Sequence, residues 1–316
     1  MQLHLNHQDF EDLINLTANY FKLEPAIIEK DYWITLALYQ LAQSDLKERV
    51  VFKGGTSLTK CYADLNRFSE DIDIALLAEG ISNSAIKRLL KQIEGVMSAG
   101  YGKSPFNEAI ASGNYRYSQY TYPSIFSGDF KELYPQIRFE LTSFMEPYPY
   151  EERAVAAFVG NYLIKTGYLN ELRDFGLEPF RLNVLAIKRT VIEKLAALIR
   201  MSYEPDLKEL LTKTRHLYDL FKTYDLVADF YGNPQELREM VARVKEAELD
   251  SRFKVGYPAQ AAWYQAPLSS KLNDQRIIKA YTESFGAEFV YGKLPAFNQV
   301  AEKIQIILDC LASAKL

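Results

Sequence analysis

The stretch "VFKGGTSLTKCYADLNRFSEDIDIALL", residues 51–77, contains two features suited to chemistry on a phosphate. Asp71 and Asp73 alternate with Ile72 and Ile74, so on a strand both acids leave one side while the isoleucines face the core. Two carboxylates that close repel each other unless something positive sits between them. A hard divalent cation meets that need, because Mg²⁺ takes oxygen ligands and retains waters and substrate phosphates. A bare D-x-D also fits an edge strand with a solvated polar face. Upstream, Gly54 and Gly55 allow a tight turn and close approach of the backbone to a ligand. They lead into a helix whose first free N–H groups, near Thr56 and Ser57, suit a phosphate. Both hydroxyls can cap that helix and also donate to a phosphate oxygen. This order holds a triphosphate between helix dipole and metal. It is neither the G-x-x-x-x-G-K-S/T loop nor the G-x-G-x-x-G turn.

The elements that must position these residues follow from periodicity. Residues 8–44 predict two helices separated near Pro25, with Phe10, Leu13, Ile14, Thr17 and Phe21 at helical spacing. "RVVFKGG" predicts a short apolar strand ended by glycines. "TSLTKCYADL" predicts a helix with Leu58, Cys61, Tyr62 and Leu65 on one face, and "DIDIALL" a strand of period two. A helix is expected around 80–98, capped by Ser82 or Ser84. Residues 100–135 give weak signals. In "QIRFELTSF", Ile137, Phe139 and Leu141 face one way and Arg138, Glu140 and Thr142 the other. After Pro149 the pattern is mostly helical, with breaks near Pro205, Pro234, "VGYPAQ" and "YGKLPAF". The expected fold class is α+β: N-terminal helices over 1–45, a small core over 46–150, and a larger, mainly helical part over 151–316.

Two later segments place charge at telling positions. In "AIKRTVIEKLAALIR", Ile187, Val191, Leu195 and Leu198 mark a buried stripe and Lys194 falls inside it. A lysine there is paired, snorkels to an edge, or points into a cleft. In "RHLYDLFKTYDL", Leu217, Leu220, Phe221 and Tyr224 define the apolar face while Arg215, His216 and Asp219 cluster on another. A solvated Arg–Asp pair explains that cluster equally well.

"GGTSL" followed by "RFSEDIDIALL" resembles the first motif of the AbiEii/AbiGii nucleotidyltransferase toxins, within the DNA polymerase β-like nucleotidyltransferase superfamily. "EKLAAL" and "RHLYDL" resemble the family's "EK-x-x-A" and "R-H/x-x-Y-D-L" segments, in the same order. "IIEKDYWITLAL", with Glu29, Lys30 and Asp31, is similar to its N-terminal segment, where those three read as structural. The resemblance implies a polymerase β-like core with a mixed sheet. It implies nucleotide or phosphate binding by Gly54, Gly55, Thr56 and Ser57, and metal held by Asp71 and Asp73. A third carboxylate is expected on a neighbouring strand, where Glu140 is the best candidate; a surface glutamate paired with Arg138 is the other reading. Lys194 and Asp219 match the family's remaining active-site residues. The lysine binds triphosphate as a point charge, and the aspartate either orients it or accepts a proton from the attacking hydroxyl.

The activity so implied is that of a toxin in a toxin–antitoxin system of the abortive-infection type. It transfers a nucleotide from a nucleoside triphosphate, with Mg²⁺ or Mn²⁺, to an RNA acceptor, expected at the tRNA 3′ end. A separate AbiEi-like antitoxin, often a DNA-binding repressor, is the implied protein partner. The net charge of −4 gives no global attraction to nucleic acid, so RNA contacts need local patches. Lys87, Arg88 and Lys91, or Arg181, Lys188 and Arg189, are candidates, with Lys188 and Arg189 foremost. Transfer to a protein hydroxyl, AMP for example, and a non-catalytic nucleotide-binding module are the alternatives; a kinase lacks its H-R-D and D-F-G set. Three histidines, two cysteines without zinc spacing and no bilayer-length apolar run point away from histidine-rich metal sites, disulfide frameworks and membrane spans, and toward the cytoplasm.

Overall fold

Proline at the first turn of a helix costs nothing, because its missing N–H has no partner there. Accordingly helix α1 (His7–Phe21) ends before Pro25, which opens helix α2 (Pro25–Ala42). The computed structural model describes residues 1–62, 65–104, 110–126, 135–250 and 261–316. These divide into two compact units: Met1–Cys61 with Phe68–Val184, and Tyr62–Arg67 with Leu185–Leu316.

In the first unit the strands are β1 (Val50–Lys53), β2 (Asp71–Leu76), β3 (Gly102–Lys103), β4 (Ile110–Ser112), β5 (Tyr115–Thr121), β6 (Gln136–Thr142), β7 (Tyr150–Val155) and β8 (Phe180–Leu185). They form one mixed sheet in the order β3-β5-β6-β2-β1-β8-β7, with β4 added on β5. β2 runs antiparallel to β1 and parallel to β6. The register aligns Lys53 with Asp73, Asp73 with Glu140, and Glu140 with Tyr117, so these four share one face. On the other face Ile72, Ile74, Phe139 and Leu141 are buried, each contributing about 1.5–3 kcal/mol. Helix α3 (Gly54–Cys61) fills the β1–β2 connection at its start. Helix α4 (Asn83–Met97), capped by Ser82, covers the apolar face. Its Glu94 takes Arg116 and Tyr120 of β5, and the Tyr120 ring lies 5.2 Å from that of Phe139.

Helices α5 (Phe158–Thr166) and α6 (Leu169–Asp174) complete this unit. The mostly helical pattern expected after Pro149 therefore begins later, after β7, and is interrupted by β8. Tyr150, Glu151 and Glu152 of the edge strand β7 are exposed, so no alternation of apolar residues announces it. Helix α3 also stops at Cys61, and Leu65 is a buried residue of the second unit rather than part of its face.

The second unit is built mainly on helices α7 (Ile187–Ser202), α8 (Lys208–Leu211), α9 (Thr214–Thr223), α10 (Ala228–Tyr231), α11 (Pro234–Asp250), α12 (Leu268–Lys271), α13 (Gln275–Lys279), α14 (Gly286–Phe289) and α15 (Phe297–Ser313). α7 buries Val191, Leu195 and Leu198, and α9 buries Leu217 and Leu220. The break expected at "VGYPAQ" lies outside the described residues. Among the described residues no helix is long and apolar enough to cross a membrane.

Candidate functional site

Gly54 adopts φ +80°, a conformation open to glycine at little cost. A β-carbon there would also meet Asp73 Oδ2 at 1.8 Å. The turn backbone is thus pressed against the carboxylate, and α3 begins at this contact, its first N–H groups lacking intrahelical partners. Gly55, half-buried, is the second residue of α3. The hydroxyls that follow are already committed. Thr56 is buried and donates to the carbonyl oxygen of Asp71, tying α3 to the start of β2. Ser57 is buried too and donates to Gly54 O at 3.0 Å. Both hydroxyls expected at the phosphate thus sit at the start of α3, beside its first backbone N–H groups.

Asp71 and Asp73 are half-buried on the polar face of β2, as the alternation predicted. Their oxygens are hard donors of the type Mg²⁺ or Mn²⁺ takes, and the glycine turn leaves the Asp73 carboxylate uncrowded by any β-carbon. The pair fits a divalent ion. Glu140 stands in register beside Asp73. Among the described residues no group of three His, Cys, Asp or Glu side chains is placed to hold a metal ion.

A chain of charge, buried at Lys30 and Glu70, runs up to the half-exposed Arg138 and Asp71. Lys30, 1% exposed, pairs with Glu70 at 2.6 Å; Glu70 accepts from Arg138 at 2.8 Å, and Arg138 Nη1 lies 3.5 Å from Asp71 Oδ1. Arg138 pairs with these two acids, not with Glu140 as one sequence reading had it. Burial lowers the Lys30 pKa, and the Glu70 charge opposes that fall. Glu29 accepts from Ser124 and from the Ile125 N–H, while Asp31 accepts from Lys60 and the Phe158 N–H. Glu29 and Asp31 are structural anchors. Lys30 is linked through Glu70 and Arg138 to Asp71.

The second unit has its own ionic centre. Asp219, fully buried, receives Arg67 Nε at 2.6 Å and Nη2 at 2.8 Å, a bidentate grip, and pairs with Lys194 at 2.8 Å. Lys194 Nζ lies 3.4 Å from His216 Nδ1. Burial opposes ionisation of Asp219, but Arg67 and Lys194 outweigh it and hold the pKa below the carboxylate range. The direct pairing with Lys194 is a geometry in which Asp219 can orient that lysine. Burial also lowers the Lys194 pKa, opposed by Asp219. For His216, burial and then the Lys194 charge push the pKa well down, so the ring is neutral at pH 7. This is the paired-lysine alternative for the stripe position, and the solvated Arg–Asp pair is ruled out.

A profile of the family described as "Nucleotidyl transferase AbiEii toxin, Type IV TA system" matches residues 36–303. The chain belongs to this family. The match spans the glycine turn, the paired acids and the Lys194–Asp219 segment of this AbiEii toxin. Its fold is similar to that of MenT4, a nucleotidyltransferase toxin from Mycobacterium tuberculosis H37Rv: TM-score 0.59 at 18% identity, covering 96% of this chain and 93% of that one. No curated protein matches the chain.

Within the AbiEii toxin, the first unit brings together Gly54, Gly55, Asp71, Asp73 and Glu140; the second brings together Lys194, His216 and Asp219. Arg189 falls out of the candidate RNA surface: its side chain is 2% exposed and paired with Glu193 at 2.9 Å. Lys188 stays half-exposed, paired with Glu236 at 2.6 Å. Lys53, Glu70, Arg138 and Arg67 were missed as functional neighbours. Each is a charged residue within or beside the quoted motifs, which was the available signal. Lys53 is half-buried next to Asp73 in register and makes no ion pair among the described residues.

Proposed function

We propose that this AbiEii toxin transfers a nucleotide from a nucleoside triphosphate to an RNA acceptor at the tRNA 3′ end, in a metal-dependent reaction. The observation that carries the reading is the packing of the Gly54 backbone against Asp73, which joins a phosphate-binding turn to a paired-acid strand. Asp71 and Asp73 would hold the metal, whose chemistry is charge neutralisation at the α-phosphate and activation of the acceptor hydroxyl. The first N–H groups of α3 meet phosphate oxygens. Glu140, in register with Asp73, adds a carboxylate beside the pair. Arg138, held by Glu70, orients Asp71. Roles for Lys194 and Asp219 are proposed from their family motifs: the lysine as phosphate ligand, the aspartate as its anchor. A separate, AbiEi-like antitoxin is the partner expected for a type IV system.

The test is incubation of purified protein with total tRNA, Mg²⁺ and each α-labelled nucleoside triphosphate in turn. Asp71→Ala with Asp73→Ala and an EDTA-treated sample serve as controls. Label in RNA with the wild type alone supports the reading and names the base. Label in protein instead moves the acceptor to a protein hydroxyl. Label that survives EDTA removes the metal from the reaction.

A further inference from the structure

The face that carries the acids continues past them. Tyr117 pairs with Glu140, Gln119 with Arg138 and Tyr115 with Thr142, so all three side chains of β5 share the side of Asp71 and Asp73. The alternate residues of β5 turn the other way and are used in packing: Arg116 and Tyr120 bind Glu94, Ser118 is buried, and the Tyr120 ring packs on Phe139. The core accounts for Tyr120; Tyr115 and Tyr117 stay half-buried on the acid face, with the Tyr115 ring 6.5 Å from that of Phe144. Gln119 Nε2 donates to the Tyr117 hydroxyl at 2.7 Å, which fixes the phenol in place.

Read across the strands, the row is Lys53, Asp73, Glu140, Tyr117: cation, acid, acid, aromatic ring. Two strand spacings, about 10 Å, separate Asp73 from Tyr117. A nucleotide has the same polarity, with an anionic phosphate end, a sugar and a flat aromatic base. We propose that Tyr115 and Tyr117 form a stacking strip for a nucleobase, on the side of the acid pair away from Lys53. The inference rests on nucleotidyl transfer as the reaction and adds the direction in which the substrate lies. Two bases share this chemistry, that of the incoming triphosphate and that of the acceptor's terminal nucleotide.

The experiment uses the full chain with Tyr117→Leu, Tyr115→Leu, Tyr117→Phe and Tyr117→Trp. Affinity for each nucleoside triphosphate is read by equilibrium dialysis without RNA, with inorganic triphosphate as a probe lacking a base. KM for tRNA is read separately. Leucine is expected to weaken one nucleobase ligand by about 5- to 150-fold, the span of base–aromatic stacking, while phenylalanine and tryptophan retain it. Inorganic triphosphate should bind wild type and Tyr117→Leu alike. Loss in dialysis assigns the strip to the incoming base, and loss only in the tRNA KM assigns it to the acceptor. If Tyr117→Leu does not fold, Tyr117→Thr, a good strand former, takes its place. Wild-type affinities and KM in both leucine variants, with the wild type transferring nucleotide, overturn the strip and leave the reaction standing. If the wild type transfers nothing, the reaction fails instead. The strip is then judged by dialysis: it stands if wild type binds nucleoside triphosphate more tightly than inorganic triphosphate and Tyr117→Leu does not, and falls otherwise.

Discussion

Gly54 lies so close to Asp73 that any side chain at position 54 would drive its β-carbon to 1.8 Å from the carboxylate oxygen Oδ2. The turn and the acid are one assembly. Gly54→Ala must displace Asp73 and hold alanine at a left-handed φ, a strain of about 1–3 kcal/mol. Turnover is expected to fall about a hundredfold or more, the scale of a catalytic group misplaced by an ångström. The melting temperature should drop only modestly. Unchanged turnover in a folded Gly54→Ala variant would disconnect the turn from the chemistry.

Asp219 is a single buried anion between Arg67 and Lys194. Asp219→Ala removes the anion that both Arg67 and Lys194 contact, and breaking a buried pair this way costs about 3–5 kcal/mol. Urea unfolding should show the loss as a shifted midpoint. Lys194→Met removes one cation and leaves the bidentate Arg67 grip intact, so it should cost less. A smaller loss for Asp219→Ala than for Lys194→Met would contradict the assignment of Asp219 as the centre.

The same cluster predicts acid sensitivity. The folded pKa of His216 is depressed, so below the ordinary histidine range the unfolded chain binds a proton that the folded one refuses. Stability then decreases as pH falls. Asp219, also depressed, stabilises above the ordinary carboxylate range and loses that contribution at still lower pH. Denaturation midpoints measured from pH 8 to pH 5 should decline more steeply for the wild type than for His216→Gln. Parallel curves would count against a neutral His216 imidazole.

The basic residues of α4 are on the wrong side of their own sheet to serve the acids. Lys87, Arg88 and Lys91 are exposed on a helix that packs against the face carrying Phe139. Replacing all three by glutamine should leave nucleotide transfer within about twofold, since no substrate-facing contact is lost. Lys188→Gln is expected to weaken tRNA binding and to reduce the slope of log K against log salt by about 0.7 if one single-stranded phosphate contact is removed. An unchanged slope would drop Lys188 from the RNA surface.

Much of the first unit was legible because its strands alternate cleanly. Asp71 and Asp73 against Ile72 and Ile74, and Arg138 and Glu140 against Phe139 and Leu141, separate as period two demands. Proline marked the start of α2, and Ser82 the start of α4. What periodicity could not carry is partner choice. Nothing local says that Glu70 links Lys30 to Arg138, 68 residues further along, or that Arg67 belongs with Asp219, 152 residues away. Arg189 shows the opposite failure: charge alone suggested surface, and its i,i+4 partner Glu193 let it be buried. β7 was unreadable because an exposed edge strand has no apolar face to repeat.

Between the glycine turn and the acids, the short run Tyr62–Arg67 leaves the first unit and counts with the second. The two units are consequently threaded through each other in sequence rather than strung end to end. A cut after residue 184 would yield a carboxy-terminal fragment in which Asp219 keeps Lys194 but has lost Arg67, and Tyr218 has lost the Leu65 carbonyl that its hydroxyl binds. Such a fragment cannot rebuild its own centre. A cut at the boundary after residue 184 therefore removes contacts that belong to the second unit itself.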